Sequence, residues 1–223
     1  MLNNKTNKMK RIELVLISCV FSIYAFSQNA PAGKDIVKNF STKMQNLQSL
    51  SANFTFTLEN LKEKITDSHD GKIVVKGNKY YLELMGMEVY FNGSEKWQFI
   101  KEANEVTVSK PEKVEGGFFD DPTKLFKSYE KNFKSKYIGE KTVKGKELYE
   151  LELYPIDLNA AYSILKLQFS KRTLEPELIK YQGKDGNNYI IKVKNFKSDI
   201  PVKDDKFIFD QKKHKNVEVV DLR

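Results

Sequence analysis

Ser49-Leu-Ser-Ala-Asn-Phe-Thr-Phe-Thr-Leu58 is the stretch that decides the fold. Ala52, Phe54, Phe56 and Leu58 alternate with Asn53, Thr55, Thr57 and Glu59, so one face is apolar and the other polar. A period of two marks a strand in a sheet that is wet on one side only. Residues 51–110 read as five or six such strands with short connections, an antiparallel meander. Two uses of the apolar face are open. The chain's own side chains fill it, or it encloses something apolar that arrives from outside.

The meander is punctuated by recognisable turns. Gly71-Lys-Ile-Val-Val-Lys-Gly77 is a strand, and Asn78-Lys79 leads into Tyr80-Tyr-Leu-Glu-Leu84, where Tyr80, Leu82 and Leu84 share a face. Asn92-Gly93 predicts a type I′ hairpin, because both residues tolerate positive φ. Trp97 and Phe99 then alternate with Lys96 and Gln98. The charged run 60–70 predicts a turn or mobile loop. Further strands are predicted at 136–142, 147–154, 163–170, 178–182, 188–196 and 206–210. About eleven strands in one sheet are more than a small barrel closes over a core without leaving space.

Two helices are predicted. Over 31–50, Ile36, Phe40, Met44 and Leu47 recur at helical spacing and make one apolar stripe. Near residue 121, Asp121 is placed as N-cap and Pro122 at the first helical position. Leu125, Phe126, Tyr129 and Phe133 form that helix's stripe. Each helix is expected to pack on the sheet, and each is a candidate lid over its apolar face.

The chain has 223 residues and a formal net charge of +8, enough for one sizeable domain. Lys5, Lys8, Lys10 and Arg11 against Glu13 concentrate positive charge at the start. An apolar run, Leu14–Phe26, follows, and Ala25-Phe-Ser27 supplies small residues at a cleavage site. Residues 1–27 therefore read as a secretory signal peptide and 28–223 as a single exported domain. Leu16-Ile-Ser-Cys19 resembles a lipobox, but Val20–Phe26 stay apolar where a lipoprotein turns polar. Cleavage after Ser27 is the expectation, with lipidation at Cys19 the alternative. The chain's one cysteine is then lost, and with it disulfides and thiol chemistry.

Catalytic signals are sparse. His69 and His214 sit in hydrophilic segments, and both read as exposed and idle. No Cys/His cluster suggests a metal, no glycine-rich loop suggests a phosphate, and no cofactor is expected. Asp120-Asp121 is explained by capping and Asp204-Asp205 by a turn. Lys212-Lys-His-Lys215 reads as a solvated surface rather than a nucleic-acid patch. The expectation is a protein without catalytic residues, acting as a monomer.

The ordered set of motifs resembles the LolA family, the periplasmic carriers of outer-membrane lipoproteins. It comprises a helix running into Leu47-Gln-Ser-Leu-Ser-Ala-Asn-Phe-Thr-Phe56, Gly71-Lys-Ile-Val-Val-Lys-Gly-Asn-Lys-Tyr80, Phe91-Asn-Gly-Ser-Glu-Lys-Trp97 and Asp121-Pro-Thr-Lys-Leu-Phe126. Phe207-Ile-Phe-Asp-Gln211 and Val217-Glu-Val-Val-Asp221 close it. The resemblance implies a mostly β (α+β) fold: an unclosed antiparallel barrel of about eleven strands with helices covering its mouth. It also implies a carrier of acylated lipoproteins, loaded by an inner-membrane ABC-type release complex and unloading to an outer-membrane acceptor. On that reading Phe54, Phe56, Tyr80, Leu82, Trp97, Phe99, Leu165, Leu167 and Phe169 line the acyl cavity. Phe40, Met44, Phe126 and Tyr129 form the underside of the lid. In much of that family an Arg-Pro pair follows the second strand, and its arginine holds the lid. Lys76-Gly77-Asn78 stands there in this chain, with Lys76 as a weaker substitute.

Overall fold

Polar and apolar residues alternate through most of the chain, and the resulting strands join one sheet. The computed structural model describes residues 33–111, 122–123 and 129–223. The leader (1–27), Cys19, Asp121, Leu125 and Phe126 lie outside the described residues. Helix α1 spans Gly33–Asn46, with Asp35 in its first turn and Lys43 in its last, both favourable to the helix dipole. It stops short of residue 50 because Ser49 already pairs with Lys76 in the sheet.

Six strands follow: β1 (Ser49–Asn60), β2 (Ile65–Lys76), β3 (Lys79–Leu84), β4 (Met87–Phe91), β5 (Lys96–Ile100) and β6 (Glu105–Ser109). The loop expected over 60–70 is a correction. Only residues 61–64 turn, and Ile65–Asp70 is the first half of β2, paired with β1 throughout. Polar ladders hold it: Thr55 donates to Asp70 at 3.1 Å, and the Thr57 and Ser68 hydroxyls lie 2.8 Å apart. The Asn92-Gly93 hairpin exists but is not type I′. Only Gly93 has positive φ, and the Asn92 side chain accepts from the Ser94 and Glu95 amides at 2.9 Å. Both central residues have positive φ at Met85-Gly86 instead (53° and 77°).

The second described helix, α2, is the single turn Tyr129–Asn132, and Phe133 begins a strand rather than completing the helical stripe. Five long strands come next: β7 (Phe133–Val143), β8 (Lys146–Pro155), β9 (Tyr162–Ser170), β10 (Pro176–Gly183) and β11 (Asn187–Ser198). The strand expected at 206–210 is absent. A 3-10 turn, Asp204–Phe207, tucks Phe207 and then Phe209 onto the sheet, and a short β12 (Glu218–Asp221) follows.

The sheet order is β12-β6-β5-β4-β3-β2-β1-β11-β10-β9-β8-β7. Every pairing is antiparallel except β12 with β6, and β12 and β7 are ends, so the twelve-stranded sheet is not closed into a barrel. The three twelve-residue strands β2, β1 and β11 lie side by side near its centre, where β1 pairs with β11 from Leu50–Ser198 to Asn60–Asn187. Residues Gly33–Arg223 form one compact unit.

Candidate functional site

The register sorts the side chains onto two faces. On one face a single core gathers Phe54 and Phe56 of β1, Tyr80 and Leu82 of β3, and Leu165, Leu167 and Phe169 of β9, each at most 4 % exposed. Phe40 and Met44 of α1 and Tyr129 of α2 join them. Seven of the nine expected cavity residues and three of the four lid residues thus share one apolar face. Its centre is filled: the Phe40 ring stacks on Phe169 at 4.6 Å and meets Tyr129 at 5.8 Å. Lys43 of α1 also donates to the Thr173 carbonyl of the β9–β10 turn.

Rings continue outward from this centre. Tyr129 meets Phe133 at 6.1 Å, Phe133 meets Tyr162 at 6.2 Å, and Tyr162 meets Tyr181 at 5.1 Å. On the other side Phe169 meets Tyr149 at 5.9 Å. Sequence reasoning missed Tyr149, Tyr162 and Tyr181, although Tyr149 and Tyr181 keep step with the apolar positions 151, 153 and 179. Burial pushes the Tyr181 hydroxyl pKa up, with the neighbouring Tyr162 adding to it. Where α1 ends, Met44, Leu47, Leu50, Val75 and Thr123 border a cleft of about 100 Å³. Among the described residues, one buried side-chain polar atom, the Ser41 hydroxyl of α1, has no hydrogen-bond partner.

Trp97 and Phe99 are the correction. Trp97 pairs with Tyr90 and Phe99 with Glu88, whereas the inward Val89 lies opposite Gln98. Both rings therefore project from the opposite face, because a strand alternates sides residue by residue. The chain's C-terminal segment covers them. Phe99, Val106 and Phe209 form a second core, and Val74, Tyr81 and Phe207 a third. His214 is not idle, since its ring lies 4.4 Å from Phe99 and 4.6 Å from Phe209. Lys206 caps the Tyr81 ring at 3.3 Å, a cation–π contact.

Lys76 also belongs to this outer covering. Its ammonium donates to Asp204 at 2.8 Å and to the Val202 carbonyl at 3.0 Å, and Lys79 reaches Asp204 at 2.6 Å. It does not stand in for a lid-holding arginine. The two lysines hold the Asp204 carboxyl below the usual carboxylate range, at about 2. Burial, then the charges of Glu88 and Glu83, pushes the Tyr81 hydroxyl pKa up. Among the described residues, no group of three or more His, Cys, Asp or Glu side chains is placed to hold a metal ion.

The architecture is thus an amphipathic helix laid on one apolar face of an unclosed, almost wholly antiparallel sheet. The family model described as outer membrane lipoprotein carrier protein LolA matches residues 23–185. The chain belongs to the LolA family. That match covers α1 through β10, and β11 and the C-terminal covering lie beyond it. A solved structure of an uncharacterized conserved protein from Thermus thermophilus is similar in fold, with TM-score 0.55 and 12% identity. That alignment covers 84% of this chain and 98% of the other. A LolA superfamily protein from Nitrosomonas europaea aligns with TM-score 0.42 and 12% identity, over 81% and 99% of the two chains. An uncharacterized protein of Methanocaldococcus jannaschii is 26% identical over 89% of this chain, which spans 56% of that relative's length.

Proposed function

We propose that this member of the LolA family is a periplasmic carrier that shields the acyl chains of lipoproteins against the α1 face of the sheet. The carrying observation is the manner of covering. One amphipathic helix, rather than a second sheet, closes an apolar face built from strands on both sides of β1. A helix tied to the sheet by side-chain packing can move as a unit, and the face beneath it is continuous and apolar. Buried methylenes contribute about 0.8 kcal/mol each, so an acyl chain crosses water only with such shelter. On this reading Phe54, Phe56, Tyr80, Leu82, Leu165, Leu167 and Phe169 receive the chain, and Phe40, Met44 and Tyr129 move aside. Cargo is taken from an inner-membrane ABC-type release complex and delivered to an outer-membrane acceptor.

Gentle purification from the native periplasm, followed by mass spectrometry that preserves bound lipid, tests the reading. A lipoprotein retained one-to-one on a chain beginning at Gln28 supports it. A ligand-free protein that also ignores a fluorescent acyl probe refutes it.

A further inference from the structure

Four exposed large apolar side chains, two of them the most exposed among the described residues, stand at one end of the sheet. Leu61 is 70% exposed and Ile65 51% exposed in and beside the β1–β2 turn, and Ile156 (53%) and Leu158 (84%) stand in the β8–β9 connection. These connections lie at the same end, as the pairings show. Asn60 is opposite both Ile65 and Asn187, Tyr162 is opposite Gly183, and Leu153 is opposite Leu165. The β10–β11 turn sits between them and is fastened to the β8–β9 connection. There the Lys184 amide donates to the Ala161 carbonyl at 2.9 Å and its ammonium to the Leu158 carbonyl at 2.5 Å. Leu61 and Leu158 are separated by about four strand spacings, roughly 20 Å. This end also projects, because β2 continues six residues past its last pairing with β3.

We infer that this rim seats the protein on the surface of a lipid bilayer. Leucine and isoleucine tips on separate turns, with polar backbone between them, offer a rigid protein partner no continuous apolar patch. A fluid interface accepts such tips one by one. Lys62 and Lys64 follow Leu61 in the same turn, and Lys131 lies in the last turn of α2 beside the rim, where the Ile156 amide donates to the Asn132 carbonyl. Lysine stems suit this level of a membrane, with the ammonium among anionic headgroups. Two nearby carboxylates are engaged in their own turns: Asp157 accepts from the Asn159 amide and Asp185 from the Asn187 amide. Glu63 is the opposing charge in the β1–β2 turn. Directly below the rim, Tyr162, Tyr181 and Tyr189 lead into the α1 face, and tyrosine favours the membrane interface.

The inference extends the carrier reading by naming where the carrier meets its donor or acceptor membrane. The test is flotation of the purified protein with vesicles of phosphatidylethanolamine and phosphatidylglycerol, with acyl-probe binding measured separately so that either idea can fail alone. The double variant Leu61→Asp, Leu158→Asp is expected to lose vesicle binding by about tenfold or more while keeping its melting temperature. Leu222→Asp is the control, an equally exposed leucine at the other end of the sheet, and is expected to bind as the parent does. Vesicle binding unchanged in the double variant, equal loss in the control, or no binding by the parent overturns the inference. So does a protein partner captured through Leu61 and Leu158 by a parent that ignores vesicles.

Discussion

Gly71→Ala probes the fit on which the α1 face depends. Gly71 lies opposite Phe54 across the β1–β2 pair. A Cβ at residue 71 would stand 2.5 Å from Phe54 Cζ, 2.6 Å from its Cε2 and 3.0 Å from the Glu83 carbonyl oxygen. Carbon atoms rest at about 3.5–4.0 Å, so the ring has to move by roughly 1 Å. Phe54 is buried inside the core, and overpacking of that kind costs about 1–3 kcal/mol. Replacing glycine within a strand returns roughly 0.5–1 kcal/mol, which leaves a net loss of about 0.5–2 kcal/mol. For a domain of this size each kcal/mol lowers Tm by about 2–4 °C. Phe54→Leu vacates the contested space, so the double variant should be more stable than the sum of the two single losses implies. A double-mutant cycle by urea unfolding measures that coupling, expected at about 0.5–2 kcal/mol. Additive losses, or a Gly71→Ala protein as stable as the parent, would refute the placement of Phe54 over Gly71.

Phe40→Ala removes the ring stacked on Phe169 and should cost about 3–5 kcal/mol in chemical denaturation while quickening entry of an acyl probe. A large stability loss with unchanged probe kinetics would leave α1 as a fixed cover. Ser41→Ala deletes a buried hydroxyl without a partner and is expected to raise stability by about 1 kcal/mol, read as a Tm increase; a fall in Tm would count against that placement. Asp204 has its pKa depressed to about 2, so its contribution is present above the ordinary aspartate value and is lost as pH falls through the folded value. The C-terminal covering should therefore loosen between about pH 4 and about pH 2, and less so at high salt, which already weakens the exposed pair. Trp97, the chain's one tryptophan, packs beside that covering and reports the change by fluorescence. An unchanged Trp97 signal in Asp204→Asn and across that pH range would detach the ion pair from the covering.

Much of the architecture was legible because one face of most strands is apolar. Ala52, Phe54 and Phe56 show the period plainly, and so do Tyr80, Leu82 and Leu84. The pattern failed where both faces carry polar groups. Ile65–Asp70 reads as loop because Asp67 and His69 occupy the inward positions and Thr66, Ser68 and Asp70 the outward ones. It is strand because its backbone pairs with β1 throughout, Ser68 and Asp70 bond Thr57 and Thr55 across the pair, and His69 and Asp67 bond each other within β2. Trp97 and Phe99 misled for another reason. Alternation shows that they share a face but not which face, since the C-terminal segment builds a second apolar covering on the outside. Only the pairing of β4 with β5 decides that. Residues 206–210 carry the alternation of a strand, yet Phe207 and Phe209 enter the outer cores from a 3-10 turn and the segment after it.

The two coverings give the sheet unequal sides. The outer one is fastened by ion pairs, a cation–π contact and a strand of its own, β12. The inner one rests chiefly on the packing of Ile36, Val37, Phe40 and Met44 beneath α1. At about 1.5–3 kcal/mol for each buried side chain, lifting them exposes roughly 6–12 kcal/mol of apolar contact. Methylenes at about 0.8 kcal/mol each match that with roughly eight to fifteen carbons. On the proposed carrier reading, a short chain leaves α1 in place, whereas a chain of membrane length exchanges one apolar covering for another at nearly equal free energy. Near-equality is what transfer requires, because a carrier that binds far more tightly than it closes cannot give its cargo up. On that reading the outer fastening keeps the sheet intact while the inner covering changes.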